Sequence, residues 1–216
     1  MTEPVPLTGE ELLTTTRSVR RGLDLDRPVD PELVKDCLRI ALQAPNGNNR
    51  QNWRWIVLTD PAIRADVAAV YRAAFHDRNA ETLRRLAELP EETRSVMSGA
   101  RLLAERLHRV PVLVIPCIEV PDGRLPEGNQ AGLWASLLPA AWSYALAARS
   151  RGLVTAWTAV HLDREREVAG LLGLPPTVRQ GGLLPTAHPL RTAFRPGPRR
   201  PLEDVLHLNG WQGDRR

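Results

Sequence analysis

Gly128 to Ala148 carries no charge, in a chain of 216 residues of which 25% are charged. A run of that length could span a bilayer. It contains Asn129, Gln130, Ser136, Pro139, Ser143 and Tyr144, and it is rich in alanine. Alanine and serine supply little insertion energy beside leucine or isoleucine. No second run of this kind exists. The segment is therefore expected to form a helix over Asn129 to Arg149, packed on all sides in a soluble protein and kinked at Pro139. Such a helix needs layers around it. An apolar content of 43% supplies them, and the length suits one domain.

The rest of the pattern supplies candidate layers. A first helix spans roughly Thr8 to Thr16. Asp30-Pro31-Glu32 is a strong helix start, with an Asp cap, Pro in the first turn and an acid behind it. Leu33, Val34, Cys37, Leu38 and Ala41 then recur at helical spacing until Ala44-Pro45-Asn46-Gly47 stops the helix. Trp53 to Thr59 reads as a strand, and Asp60-Pro61 opens a helix to about Phe75. His76 to Arg109 is polar and helical, broken at Leu89-Pro90, as in a solvated or mobile helical pair. Val110 to Ile118 and Val154 to Val160 read as strands, Asp163 as the cap of a helix to Leu172, and Thr177 to Ala187 as containing a strand. Pro189 to Pro201 is a Pro/Arg-rich linker before an apolar tail, Leu202 to Trp211. The class is α+β or α/β, on a sheet of four or five strands.

Charge and cysteine usage narrow the function classes. Lys+Arg is 29 against 25 acids, a net charge of +4, and Lys35 is the only lysine. The cationic sites are thus planar forks suited to phosphate and carboxylate. A surplus this small does not imply nucleic-acid binding without clustering. Two cysteines exclude a disulfide scaffold. Cys37 and Cys117 are expected to be buried and reduced. Met1 to Glu11 contains Glu3, Glu10 and Glu11 and no basic apolar leader, so a cytoplasmic location is expected.

His76, His108, His161, His188 and His207 are scattered without metal-ligand spacing, so no metal site is expected. There is no Cys-x-x-Cys, no Gly-x-Ser-x-Gly, no Gly-rich dinucleotide turn and no P-loop. Three polar segments stand out instead. Arg17-Ser18-Val19-Arg20 puts two guanidinium groups and a hydroxyl in one turn. Pro45 to Asn52 holds the amides of Asn46, Asn48, Asn49, Gln51 and Asn52, which offer donors and acceptors to a heterocycle edge. Arg195-Pro196-Gly197-Pro198-Arg199-Arg200 is a second basic cluster. Singly these are a solvated turn, a loop and a linker. Together they offer phosphate forks and an amide-lined wall, as a flavin mononucleotide site requires.

These segments resemble motifs of the nitroreductase superfamily of FMN-dependent oxidoreductases. Arg17-Ser18-Val19-Arg20 is similar to that family's N-terminal Arg-Ser-x-Arg. Ala44 to Trp53 is similar to its Ala-Pro-Ser-x-x-Asn-x-Gln-Pro-Trp loop, with Asn52 in place of proline. Ala147 to Leu153 resembles its late-helix segment, with Val154 in place of the second glycine. Leu184-Pro185 with Arg199 to Glu203 resembles its C-terminal basic element. The resemblance implies one three-layer α/β/α domain over 1–216, with a small mixed, mainly antiparallel sheet. It implies a variable helical lid over 76–109 and a linker and arm over 189–216, exchanged in a homodimer whose site lies across both subunits.

It also implies FMN. Arg17, Ser18 and Arg20 would hold the phosphate and the polar edge of the flavin, and Asn49 the ribityl chain or ring. Pro45 and Asn46 would pack beside the ring, with Gln51 in the same loop. Arg199, with Arg200, would complete the phosphate site. The backbone at Ala159 and Val160 would face flavin N5, and Ala159 stands where some members carry an acid. The implied activity is hydride transfer from NAD(P)H to a nitroaromatic, quinone or related acceptor, with no essential acid or base side chain. The competing readings are a non-catalytic or specialised flavin-binding protein, including one that uses a deazaflavin, and a nucleic-acid binder using Arg195, Arg199, Arg200, Arg215 and Arg216.

Overall fold

The structure, a computed structural model, describes residues 6–211. Arg215 and Arg216 lie outside them. Six helices and six strands are described: α1 (Gly9–Thr15), β1 (Leu23–Asp24), α2 (Pro31–Ala41), β2 (Trp53–Leu58), α3 (Pro61–Arg84), α4 (Glu91–Arg106), β3 (Val112–Glu119), α5 (Ala131–Ser150), β4 (Val154–Thr155), α6 (Glu165–Leu171), β5 (Val178–Gln180) and β6 (Leu184–Pro189). Side chains cap three of the helix starts. Thr8 and Glu11 form a reciprocal box on α1, Asp30 accepts from Glu32 N–H, and Asp60 accepts from Ala62 and Ile63 N–H.

β3 is the centre of the sheet. β2 runs antiparallel along one edge, while β6 and β5 share the other, at Val112–Val114 and Cys117–Glu119. β4 and β1 pair with β6. Alternation along β3 sets the layers. Val112 and Val114 pack with Val34, Cys37 and Ala41 of α2 and Ala141, Tyr144 and Ala148 of α5. Leu113, Ile115 and Cys117 pack with Val67, Tyr71 and Phe75 of α3, Leu103 of α4 and Val168 of α6. This is the expected α/β/α arrangement. Both cysteines are buried free thiols, pushed up to about 11 at Cys37 and about 12 at Cys117 chiefly by burial.

Several expectations need correction. The sheet has six strands rather than four or five, and every described pairing is antiparallel, so it is not mixed within one chain. The class is therefore α+β. Val154 to Val160 is a strand only at Val154–Thr155, followed by a bridge from Thr158 to Leu183. Thr177 to Ala187 divides into β5 and β6, split at Gly181-Gly182. α3 runs on to Arg84, because the polar residues after Phe75 mark its exit from the core and no Pro or Gly breaks it. Asp163 caps nothing. It lies in a 3-10 turn, Val160–Arg164, and its carboxylate meets Arg78 of α3.

α5 runs unbroken through Pro139, but it is not covered on all sides. Ala131, Ala135, Leu138 and Trp142 form one exposed stripe, with Leu138 and Trp142 at 39% and 38% exposure. Among the described residues, no helix is long and apolar enough to cross a membrane. The tail also stays uncovered: Leu202, Val205, Leu206, Leu208 and Trp211 are all exposed.

Candidate functional site

The turn after α1 is fixed by its own backbone and by Ser18. Val19 N–H donates to the Thr155 carbonyl (2.9 Å), and Trp157 N–H donates to Ser18 Oγ (2.9 Å). The Arg17–Arg20 turn is thereby tied to the segment that leads into Ala159 and Val160. Neither of those two residues has an acceptor for its N–H among the described residues. Tyr71 closes the same corner, its hydroxyl 2.9 Å from Thr158 Oγ1. Burial raises the Tyr71 phenol, while the Thr158 bond and the nearby charges of Arg20 and Arg78 oppose that.

Beside this turn lies a cleft of about 700 Å³, lined by Arg17, Ser18, Arg20, Arg21 and Arg191, by Ser95, Val96 and Gly99 of α4, and by Leu190 and Phe194. No carboxylate among the described residues lines it. Gly99 of α4 faces the Arg21 side chain, whose Nε would lie 3.4 Å from a Cβ there, an ordinary contact. Arg21 also donates to the Ser95 carbonyl (2.8 Å). The C-terminal basic cluster reaches the same place. Arg17 Nη1 donates to the Arg195 carbonyl (3.0 Å). A Cβ on Gly197 would lie 2.9 Å from Arg199 Nη1 and 3.2 Å from Arg17 Nη2. Arg17 and Arg199, far apart along the chain, thus converge on Gly197.

The amide loop sits elsewhere. Asn48, Asn49 and Gln51 all have positive φ (54°, 51° and 50°), a conformation costly for non-glycine residues and best tolerated by Asn. Bonds within the loop hold it. Gln51 N–H donates to Asn46 Oδ1 (3.0 Å), and Gln51 Nε2 to Asn49 Oδ1 (2.9 Å). Gly47 N–H donates to Ser136 Oγ (3.1 Å), and Trp53 Nε1 to the Ser136 carbonyl (2.6 Å). Asn48, Asn49 and Gln51 face outward, as does Pro45. The adjoining pocket, about 310 Å³, is lined by Gly47, Asn48, Arg50 and Asn52 and shares no residue with the arginine cleft. The loop is anchored at Ser136, whereas Arg17 borders Ala145 and Arg149. At 1.5 Å per residue these points are roughly 14–20 Å apart along α5. The motifs therefore do not close into one site within a single chain.

Arg149 is the residue that sequence reasoning missed. It lies in the late-helix segment, where only an arginine amid alanines hinted at it. It is 3% exposed and stacks on Phe194, with its guanidinium carbon 4.7 Å from the ring centre. Arg200 is exposed and makes no ion pair among the described residues. No group of three His, Cys, Asp or Glu side chains among the described residues could hold a metal.

Comparison with known proteins identifies the family and the fold. The profile described as "Nitroreductase family" matches residues 13–188. A Methanothermobacter thermautotrophicus protein whose name proposes NADH dehydrogenase/NAD(P)H nitroreductase activity is 26% identical over 205 residues, spanning 93% of this chain and 86% of its own. Among solved structures, the FMN and NADPH-dependent nitroreductase NfnB of Sphigopyxis sp. strain HMH superposes with a TM-score of 0.69 at 22% identity, covering 96% of this chain and 100% of that one. An iodotyrosine deiodinase bound to FMN and 3-iodo-L-tyrosine does so with 0.69 at 19% identity, covering 94% and 99%. These two share the fold. With the profile covering most of its length, the chain belongs to the nitroreductase family.

Proposed function

We propose that this protein is an FMN-dependent oxidoreductase that works as a homodimer and moves hydride from NAD(P)H to a nitroaromatic, quinone or related small acceptor. The observation that carries the reading is the convergence of Arg17 and Arg199 at Gly197, with Arg17 also lining a cleft that no carboxylate among the described residues borders. Two guanidinium forks without counter-charge suit a phosphate dianion.

Bound FMN would supply the chemistry, accepting hydride at N5 and passing it on. The chain's part is placement and charge. Arg17 and Arg199 hold the phosphate, and Ser18, whose oxygen already accepts from Trp157 N–H, keeps its own hydroxyl hydrogen to donate. Arg20 puts positive charge beside the ring's polar edge. The unpaired N–H groups of Ala159 and Val160 orient N5. α4 walls the cleft and limits what can stack there.

The distance between the amide loop and the arginines supports the dimer: a two-fold axis would bring one subunit's Asn46, Asn49 and Gln51, with Pro45, to the other's arginines. The exposed stripe of α5 and the uncovered tail supply apolar surface for that contact. The purified protein is expected to be yellow, to run as a dimer, and to bleach anaerobically with NADH or NADPH. A colourless preparation that takes up no FMN in a calorimeter sinks the proposal. Bleaching by neither donor would leave an FMN-binding protein without this turnover.

A further inference from the structure

Arg149 is buried, yet no carboxylate meets it among the described residues. Its Nη2 donates to the Thr192 carbonyl (3.1 Å), while Nε and Nη1 have no acceptor among the described residues. Burial lowers its pKa from the ordinary arginine value. A cation withdrawn from water needs a counter-charge, and buried N–H groups need acceptors. Arg149 has one neutral carbonyl and the face of the Phe194 ring for both purposes.

Its surroundings point to what completes it. Arg149 and Arg17 share a crevice with Val19, Thr155 and Phe194. Phe194 closes it from the strap over residues 190–195, which is held down by the Thr192 carbonyl on Arg149 and the Arg195 carbonyl on Arg17. An anionic oxygen binds a guanidinium more strongly than a neutral carbonyl does. The crevice is too narrow for water as it stands, so admitting a ligand means lifting Phe194 and the strap. Thr192, Ala193 and Arg195 are exposed, so Phe194 is the strap residue whose core contact would have to be given up.

We propose that the buried Arg149 and the exposed Arg17 form an oxyanion site beneath this strap, one that takes a phosphate group, with Arg149 as a binding residue additional to the Arg17–Arg199 pair. The phosphate could be that of FMN or free phosphate, and only the first source rests on the flavin reading above.

The test is calorimetry of FMN, riboflavin and inorganic phosphate with wild type, Arg149→Met and Arg149→Lys, with the melting temperature of each. The Met variant is expected to lose at least tenfold in FMN affinity with riboflavin affinity unchanged, and Lys to restore part of the loss. A merely structural arginine would weaken FMN and riboflavin alike, which overturns the proposal. Loss of phosphate binding with FMN binding unchanged supports a site for free phosphate. Wild-type affinity of the Met variant for both ligands overturns it. If the Met variant does not fold, Arg149→Lys decides, and wild-type affinity for both ligands there overturns it. If wild type binds no FMN, the flavin reading fails while the phosphate titration still decides the role of Arg149. A wild type that binds neither ends both.

Discussion

Arginine does two different jobs in two regions of this molecule. Where α3 meets α6, guanidinium groups meet carboxylates: Arg78 with Asp163, Arg164 with Asp77 (2.7 Å) and Glu167 (3.0 Å), and Arg179 with Glu165. Around the cleft, Arg17, Arg21 and Arg149 donate to backbone carbonyls, and Arg20 and Arg199 have no acidic partner among the described residues. The first set is internally balanced and acts as scaffold. The second leaves positive charge unspent at the mouth of a cavity, where it can attract and hold an anion. The small net charge of +4 conceals this separation.

The comparison predicts that the two sides fail differently. The largest effect is expected at His161, buried on the balanced side with neither ring nitrogen partnered among the described residues. Burial pushes it down to about 4, against the opposing pull of Glu165, Gln180 and Asp163. Its pKa is lower in the folded state than in the unfolded chain, so its contribution is whole above about pH 6.5 and lost as pH falls towards 4. The loss is about 3 kcal/mol at the acid end. Denaturant melts at pH 7 and pH 4.5 should show it, and His161→Leu should flatten the difference. An unchanged pH slope in that variant would rule His161 out as the source.

On the other side, Arg17→Ala with Arg20→Ala should lower FMN affinity at least about 10²-fold, some 2.7 kcal/mol, while stability moves by no more than about 0.5 kcal/mol. Full FMN occupancy in the purified double variant would remove the phosphate from this turn. Glu165→Gln should do the reverse. Burial alone would raise Glu165, but the Arg179 guanidinium and Gln180 N–H outweigh it and hold the carboxylate below its usual range. Neutralising it strands Arg179 in a half-buried site. The cost should be about 2 kcal/mol of stability, discounted from a fully buried pair because water still reaches both groups. FMN affinity should stay at wild type. A variant that binds FMN poorly yet melts normally would contradict the division between the two sides.

How much of this was legible beforehand follows from how local each signal is. The starts of α2 and α3 were readable because Asp30 and Asp60 act on residues two or three positions away, whereas the Thr8–Glu11 box on α1 was passed over. β3 was readable as an apolar run. Asp163 misled because an acid before a helix resembles a cap, and only Arg78, distant in sequence, claims its carboxylate. The exposed stripe of α5 was hidden because alanine, leucine and tryptophan look the same in a list whether they face a core or the outside. The two arginine segments were visible as composition. Their meeting at Gly197, and the isolation of Arg149, depend on where a Pro-rich strap comes to rest, which no periodicity encodes.

The smallest expected effect bears on the neutral counterpart of the arginine cleft. Ser136 anchors the amide loop through its hydroxyl, which accepts from Gly47 N–H, while its backbone carbonyl receives Trp53 Nε1. Ser136→Ala keeps the carbonyl and removes one hydrogen bond, a loss of about 1 kcal/mol. Within one chain this change lies roughly 14–20 Å along α5 from the arginines, too far to touch a phosphate there. In a two-fold dimer the loosened loop would border the partner's cleft. A two- to threefold fall in FMN affinity alongside the lower melting temperature would therefore place the amides in the partner's site. A lower melting temperature with FMN affinity intact would make the loop a scaffold like the α3–α6 side, and leave the arginines to hold the ligand alone.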